Sequence, residues 1–465
     1  MSLITSISGI RGTVGGMPGG GLTPIDIVKF TTAFAMWVDK ETQNKKIVVG
    51  RDGRISGATI NNLVTSTLVS LGFEVVDIGL STTPTVEIAV VMEHAGGGII
   101  ITASHNPKEW NALKLLNKDG EFLSSRDGVW VLECAKNEQF EYVNESNLGS
   151  VSYNDSYIDK HIQLIVAYRL VDTKIIANKK FKIVVDVINS TGSLAVPKLL
   201  NALGVFDVIV INKEISGNFA HNPEPLPENL TELSRVVVEE HADLGIAVDP
   251  DVDRLSFVCE DGTFFGEEYT LVAVADYILS CEKTNTVSNL SSTRALRDVT
   301  ERHGGKYFGS AVGEVNVVEK MKEVGTQIGG EGNGGVIVPD LHYGRDALVG
   351  IALFLTHLAR FDSLVSQLRK TYPNYCMSKN KITLTKDIDV KKIFEKISKK
   401  YEKFPINTID GLKIEFDDGW VHLRTSNTEP IIRIYSENVS NESAQKMAQM
   451  IMQDIHEIID GVSDN

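Results

Sequence analysis

Residues 46 to 107 read KIVVGRDGRISGATINNLVTSTLVSLGFEVVDIGLSTTPTVEIAVVMEHAGGGIIITASHNP. KIVVG (46–50), EVVDIG (74–79) and GIIIT (98–102) are short apolar runs rich in β-branched residues, and the segments between them carry helical spacing and close on Gly. This alternation predicts strand, helix, strand, helix, strand, followed by the polar loop ASHNP. The same order returns as KIVVD (182–186), a helix through SLAVPKLLNALG, VIVIN (208–212), a helix through LTELSRVVVEEHA and LGIAV (244–248), with the loop DPDVDR. A fainter third copy runs through TVSNL (286–290), RALRDVTERHG, KYFGSAV (306–312), EVNVVEKMKEVG and TQIGG (326–330), with the loop EGNGG.

Three such copies predict an α/β fold with mixed, mostly parallel sheets and right-handed crossovers. Ligands of these folds sit at the carboxyl ends of strands, where each copy places its most polar loop, so the three units are expected to converge on one cleft. After Pro373 come KITLT, a charged helix through VKKIFEKISKKYE, then LKIEF, WVHLR and IIRIY, and a final amphipathic helix. Successive strands joined by short turns predict an antiparallel sheet with helices on one face, a smaller α+β domain. The expected division is 1–150, 151–255, 256–373 and 374–465, in keeping with a chain of 465 residues.

Hydrophobic residues at 42% and charged residues at 23% match a soluble globular protein. The opening MSLITSISGIRG lacks a basic segment followed by an apolar one, and no window approaches a membrane span, so a cytoplasmic location is expected. Cys134, Cys259, Cys281 and Cys376 have no metal-site or disulfide spacing. A net charge of −15 argues against nucleic acid or anionic membrane as partner, but not against a phosphorylated small molecule, since local Arg and Lys set the sign of a cleft.

The loops carry the chemistry. Ser104 lies just past a buried strand in Thr102-Ala103-Ser104-His105-Asn106-Pro107, where Pro107 ends pairing; a serine in an Asn-Pro turn is commonly an ordinary turn residue, and His221-Asn222-Pro223 repeats the tripeptide without one. Asp249, Asp251 and Asp253 repel one another, so bringing them together requires a cation, and oxygen-only donors suit Mg2+. Glu260 completes a calcium-loop spacing, but Arg254 stands where that loop needs glycine and a strand follows. The acidic loop also fits a phosphatase with an aspartate nucleophile. Gly330 to Gly335 matches GxGxxG, yet it leads into an apolar strand, which removes the helix N-terminus a dinucleotide needs. Glu331 and Asn333 there suit sugar hydroxyls, and a plain turn suits the sequence equally. Arg424-Thr425-Ser426-Asn427-Thr428, with Arg433 in the next strand, offers guanidinium groups and hydroxyls to a phosphate, or is a hydroxyl-rich hairpin turn. Arg11 in GIRG and Lys114 are cations near the chain start and beyond the serine loop.

Together these stretches resemble the α-D-phosphohexomutase family (phosphoglucomutase, phosphomannomutase, phosphoglucosamine mutase) along essentially the whole chain. TASHNP resembles its phosphoserine loop, DPDVDR its magnesium loop, GGEGNGG its sugar-recognition loop and RTSNTEP its phosphate-binding loop, in the family's order. The resemblance implies an isomerase, an intramolecular phosphotransferase of three related α/β domains plus a smaller fourth, acting on a phosphosugar as monomer or homodimer. It implies that Ser104 is a phosphoserine, that its phosphate with Asp249, Asp251 and Asp253 holds Mg2+, and that a hexose 1,6-bisphosphate is intermediate and activator. By the same resemblance Glu331 and Asn333 read hydroxyls, and Arg424, Ser426, Asn427, Thr428 and Arg433 clamp the unreactive phosphate. Arg11 and Lys114 stand beside the reacting oxygen, Lys114 assisting proton transfer, while His105 and Arg254 support the serine and metal loops.

The chain departs from the family at Asn333 and Gly335, where Ser and sometimes His occur, at Thr425 and Asn427, where Pro and Gly are usual, and at Ala112, where Gly is usual. The GIRG start and VGEVNVVEKM lean toward the phosphoglucosamine branch, implying interconversion of glucosamine 6-phosphate and glucosamine 1-phosphate, with glucose or mannose phosphates as the alternative. A Mg2+-dependent sugar phosphatase and a silent phosphosugar-binding protein stand as readings of other classes.

Overall fold

The third strand of each repeated unit turns back into a fourth, antiparallel strand, and this hairpin organises the molecule. A computed structural model describes residues 3–6, 9–384, 388–425 and 431–463. The first unit comprises β1 (Leu3–Ser6), β2 (Gly9–Thr13), α1 (Pro24–Thr42), β3 (Lys46–Arg51), α2 (Gly57–Ser70), β4 (Glu74–Leu80), α3 (Thr83–Met92), β5 (Gly97–Ile101), β6 (Trp110–Leu116), α4 (Ser125–Asn137) and β7 (Ser150–Tyr153). The second comprises α5 (Tyr157–Ala167), α6 (Thr173–Lys179), β8 (Lys182–Asp186), α7 (Gly192–Ala202), β9 (Asp207–Ile211), α8 (Thr231–Glu239), β10 (Leu244–Val248) and β11 (Leu255–Cys259). The third comprises α9 (Glu267–Cys281), β12 (Thr286–Asn289), α10 (Ala295–Arg302), β13 (Tyr307–Ser310), α11 (Glu314–Val324), β14 (Ile328–Glu331), β15 (Gly335–Ile337), α12 (Ala347–Phe361) and α13 (Val365–Lys370).

The sheets contain the same core order, β6-β5-β3-β4, β11-β10-β8-β9 and β15-β14-β12-β13, with the inner three strands parallel and the hairpin strand antiparallel. The central strands are buried on both faces, as their unbroken apolar runs require. Tips 102–109, 249–254 and 332–334 lie at the carboxyl ends of β5, β10 and β14. Each tip contains a residue in the left-handed region: Ser104 (φ 47°), Val252 (φ 61°) and Gly334 (φ 84°). For a β-branched valine this is an outlier, held here by complete burial of its side chain.

Two of the expected divisions fall inside strands. Residue 150 begins β7, which pairs with β4, and residue 255 begins β11, which pairs with β10, so both sheets extend past those limits. For the second of these limits the reason is physical: α12, almost wholly buried, packs on α5, α6 and α7 of the second unit as well as on α9 of its own, and one hydrophobic cluster runs through both units. A shared core leaves no polar linker to mark the boundary.

The last unit comprises β16 (Cys376–Thr383), α14 (Val390–Lys400), β17 (Ile406–Asn407), β18 (Leu412–Phe416), β19 (Gly419–Thr425), β20 (Ile431–Asn438) and α15 (Asn441–Ser463). Its sheet, ordered β16-β20-β19-β18-β17, is antiparallel throughout, and α14 and α15 cover a core that includes Ile397, Ile414, Val421 and Ile455. Among the described residues no helix is long and apolar enough to cross a membrane.

Candidate active site

Arg54 builds the serine loop. Fully buried, it donates from Nη2 to the carbonyls of Ser104 (2.5 Å) and Asn106 (2.6 Å), from Nη1 to those of Pro107 (2.7 Å) and Trp110 (2.9 Å), and from Nε to Asp52 Oδ2 (3.1 Å). Asp52 Oδ2 also accepts from Thr102 Oγ1 (2.7 Å), whose oxygen in turn accepts from the Ser104 amide (2.9 Å). Four of the five guanidinium donor positions are spent on the serine loop and the start of β6, and the fifth on Asp52, which itself holds Thr102, so that the left-handed Ser104 is fixed. Lysine has too few donors, pointing the wrong way, to replace them. Arg54→Lys is expected to cost about 2–4 kcal/mol through unpaired buried carbonyls, read as a lower Tm and faster proteolysis at residues 102–109; a Tm within about 1 °C of wild type would contradict it.

The serine reaches the acidic loop of the second unit. Ser104 Oγ donates to Asp249 Oδ2 (2.7 Å), and Asp249 Oδ1 accepts the amides of Asp253 (3.1 Å) and Arg254 (3.1 Å). Asp251 Oδ2 accepts from Thr83 Oγ1 (2.6 Å) and Lys114 Nζ (2.7 Å), and Asp253 Oδ2 accepts from Arg345 Nη2 (2.7 Å). The tip itself is anchored at Pro250, whose carbonyl accepts from Ser190 Oγ (2.6 Å) and Thr191 Oγ1 (2.9 Å). Burial, and then the charges of Asp253 and Asp251, holds Asp249 well above the usual carboxylate range. Burial acts the same way on Asp253, but Arg345, Lys114 and Arg254 outweigh it and hold that carboxyl below its usual range. Lys114 is likewise disfavoured by burial, yet Asp251 and Asp253 keep it an ammonium.

The three aspartates fit a hard divalent cation. Each is wholly buried, each offers an oxygen within 4.8 Å of the others, and Oδ1 of Asp251 and of Asp253 has no hydrogen-bond partner among the described residues. No nitrogen or sulfur donor belongs to the group.

His105 and Arg254 flank this pair of loops. His105 Nδ1 lies 3.4 Å from Ser104 Oγ and its Nε2 3.5 Å from Arg254 Nη2, while Arg254 Nη1 pairs with Glu224 (3.0 Å). Burial first, and then the charge of Arg254, keeps the imidazole neutral.

Arg345 joins the acidic loop to the glycine loop. Besides Asp253 it donates to Glu331 Oε2 from Nη1 (2.8 Å), and its Nε lies 3.1 Å from Glu314 Oε2. A Cβ on Gly335 would stand 2.3 Å from Arg345 Cδ, so this glycine leaves the path open for the guanidinium. Glu331 Oε1 accepts from Asn289 Nδ2 (2.8 Å) and the Gly313 amide (3.2 Å), and Asn333 Oδ1 accepts the Gly335 amide (3.2 Å). Arg54, Arg345 and Thr83 escape a motif reading because none lies in a chemical loop. Their only signals are a charged GRDGR after the first strand and an isolated Arg-Asp before an apolar helix.

In the last unit Arg424 Nε lies 2.7 Å from Asp410 Oδ2, so this guanidinium already faces a carboxylate. Arg433, opposite Arg424 in the β19–β20 ladder, lies near enough to Arg11 of the first unit that its charge, after burial, lowers the Arg11 pKa. Arg11 Nε is buried with no hydrogen-bond partner among the described residues. Like charges from the two ends of the chain thus face one space, an arrangement suited to an anion. Ser426, Asn427 and Thr428 lie outside the described residues.

The chain matches four consecutive descriptions of one family: Phosphoglucomutase/phosphomannomutase, alpha/beta/alpha domain I at residues 3–142, domain II at 155–262, domain III at 266–375, and the C-terminal domain at 380–454. It is 36% identical to the Phosphoglucomutase/phosphomannomutase of Thermococcus kodakarensis, covering 95% of this chain and 96% of that one. It is 34% identical to the protein of Methanopyrus kandleri named "Probable phosphoglucosamine mutase", covering 95% of each. Among solved structures, a phosphoglucomutase/phosphomannomutase family protein of Burkholderia thailandensis superposes with a TM-score of 0.84 at 26% identity, over 99% of this chain and 97% of that one.

Proposed function

The chain belongs to the phosphoglucomutase/phosphomannomutase family of phosphohexomutases, enzymes of the isomerase class that transfer phosphoryl groups, and on that premise we propose that it interconverts a hexose 6-phosphate and a hexose 1-phosphate through a phosphoserine at Ser104. The observation that carries the proposal is the 2.7 Å contact of Ser104 Oγ with Asp249, which puts the only hydroxyl of the TASHNP tip beyond Thr102 against three buried carboxylates. Asp249, Asp251 and Asp253, with an oxygen of the phosphoryl group on Ser104, would hold Mg2+, which offsets the charge spread over the transferring group.

In the forward half-reaction the P–O bond to Ser104 Oγ breaks as a bond forms from phosphorus to the free hydroxyl of the hexose monophosphate. The resulting 1,6-bisphosphate turns over, and its other phosphoryl returns to the serine. Lys114, kept as an ammonium by Asp251 and Asp253, would place a positive charge beside the reacting oxygen and assist transfer of the proton from the attacking hydroxyl to Ser104 Oγ. The neutral His105 supports the serine, and Arg254 the acidic loop. Arg424, Ser426, Asn427, Thr428 and Arg433 would hold the phosphate that does not react, and the reach of the Arg433 charge to Arg11 supports Arg11 on that same phosphate and not beside the reacting oxygen. Glu331, its oxygens ordered by Asn289, Gly313 and Arg345, and Asn333 would read the sugar hydroxyls.

For the hexose we propose glucosamine, supported by the name of the Methanopyrus kandleri relative and by the GIRG and VGEVNVVEKM stretches. Glucose or mannose phosphate is the second reading, supported by the name of the Thermococcus kodakarensis relative at 36% identity. Steady-state turnover of glucosamine, N-acetylglucosamine, glucose and mannose phosphates, with Mg2+ and a sugar bisphosphate primer, separates the two; glucosamine phosphate is expected to give the highest kcat/KM. Label from a 32P-bisphosphate is expected on Ser104 as an acid-stable ester. Hydroxylamine-labile label on Asp249 would instead indicate a phosphatase.

A further inference from the structure

A second convergence of metal-binding side chains lies behind the catalytic loops, where the first three units meet. His161 of α5 directs Nε2 to Asp346 Oδ2 (3.0 Å), and His342 directs its own Nε2 to the same oxygen (3.4 Å). These donor atoms all lie within 4.8 Å of one another, and His161 and Asp346 are wholly buried. Asp346 Oδ1 is committed elsewhere, capping α12 through the amides of Leu348 (2.8 Å) and Val349 (3.3 Å), so Oδ2 alone faces the imidazoles.

The far side of each ring is also provided for. Nδ1 of His161 lies 3.0 Å from Thr85 Oγ1 within a hydrogen bond, whereas Nδ1 of His342 lies 3.0 Å from Glu87 Oε2 on α3 without being aimed at it, so both of those atoms stay unpaired among the described residues. A proton held on Nδ1 by an outer acceptor leaves Nε2 with its lone pair inward, the tautomer that ligates a metal. Glu87 is 1% exposed, and neither of its oxygens has a well-aimed hydrogen-bond donor among the described residues. Such a carboxylate calls for positive charge nearby. A divalent cation held by Asp346 and the two imidazoles would supply it.

We propose that His161, His342 and Asp346 form a second metal site, taking a transition metal of the Zn2+ type, with Glu87 and Thr85 as the outer acceptors that orient the two histidines. Two imidazoles and one carboxylate favour Zn2+ over Mg2+, the reverse of the oxygen-only aspartate group. Three protein donors leave one position of a tetrahedron to water. The site would tie the first unit, through Glu87 and Thr85, to the second and third.

The test uses the full chain, stripped with chelator and dialysed against Zn2+ in the presence of saturating Mg2+. About one Zn2+ per chain is expected to survive desalting, and Asp251→Asn is expected to keep it while His161→Gln loses it with at least ~100-fold weaker binding. Wild type that retains no zinc, His161→Gln that binds zinc as wild type does, or loss of zinc in Asp251→Asn would each overturn the proposal. Should His161→Gln fail to fold, Co2+ in the wild-type chain decides. Tetrahedral d–d absorption with two exchangeable, hyperfine-shifted imidazole N–H signals supports the site, and absence of either rejects it.

Discussion

Ser104→Ala is expected to lower kcat for hexose phosphate interconversion by about 10⁴-fold or more, equivalent to roughly 5.5 kcal/mol of transition-state stabilisation. In the proposed reaction the serine oxygen carries the phosphoryl group between turnovers, and no second hydroxyl lies at the tip beyond Thr102, whose oxygen is already shared between Asp52 and the Ser104 amide. Folding should be little affected. Alanine brings the same Cβ into the left-handed conformation, so it adds no strain, and the lost side-chain contacts are confined to Asp249 and His105. An unchanged Tm, loss of 32P incorporation and collapse of turnover are therefore expected together. Turnover near that of wild type would mean that phosphoryl transfer does not use this residue.

Arg345→Met should damage both stability and catalysis. Arg345 is the shared cation of three buried carboxylates, Asp253, Glu331 and Glu314, and its removal leaves them uncompensated, at a cost of about 3–5 kcal/mol. Loss of the bridge also frees the acidic and glycine loops to shift relative to each other, for which kcat/KM is expected to fall about 10²-fold. A pH signature accompanies it. Asp253 has a folded pKa below its unfolded value, so it contributes stability that is present above the unfolded pKa of about 3.9 and is lost as pH falls through the folded one. Removing Arg345 raises the folded pKa, and acid unfolding of the variant should begin at a higher pH, as measured by Tm across an acid series. Gly335→Ala offers a gentler test of the same bridge, because the new methyl would press on Arg345 Cδ. Its kcat/KM should fall by roughly 10-fold. A Met variant with wild-type acid stability would exclude the proposed role.

What the sequence discloses follows the physics of each feature. The chemical tips are legible because strand ends, Pro107, the alternate aspartates and the clustered glycines each leave a local pattern, and the structure brings Ser104 into contact with Asp249. The hairpin strands are harder to assign to their units. β11 follows its loop directly and pairs with β10, but nothing between Leu255 and the start of α9 marks it as the end of a unit, because α12 buries the second and third units in common. Arg54 and Arg345 are illegible for another reason. Their importance lies in partners 50 to 56 and 14 to 92 residues away, and a lone arginine carries no trace of which distant carbonyl or carboxylate it will meet. His161 and Asp346, 185 residues apart, are hidden in the same way.

The recurring four-strand order of the first three sheets separates geometry from chemistry. Each tip is pinned at both ends by paired strands, so its position is set by the sheet, while its length and the residues it displays differ: a hydroxyl in one case, carboxylates in the next and a glycine-rich turn in the third. A duplicated unit of this kind inherits a finished mount and has only a handful of positions to change before it acquires a new role. The molecule can be understood as one bracket cast three times and fitted with three different tools, and a designer wishing to alter its chemistry would exchange tips while leaving every strand as it stands.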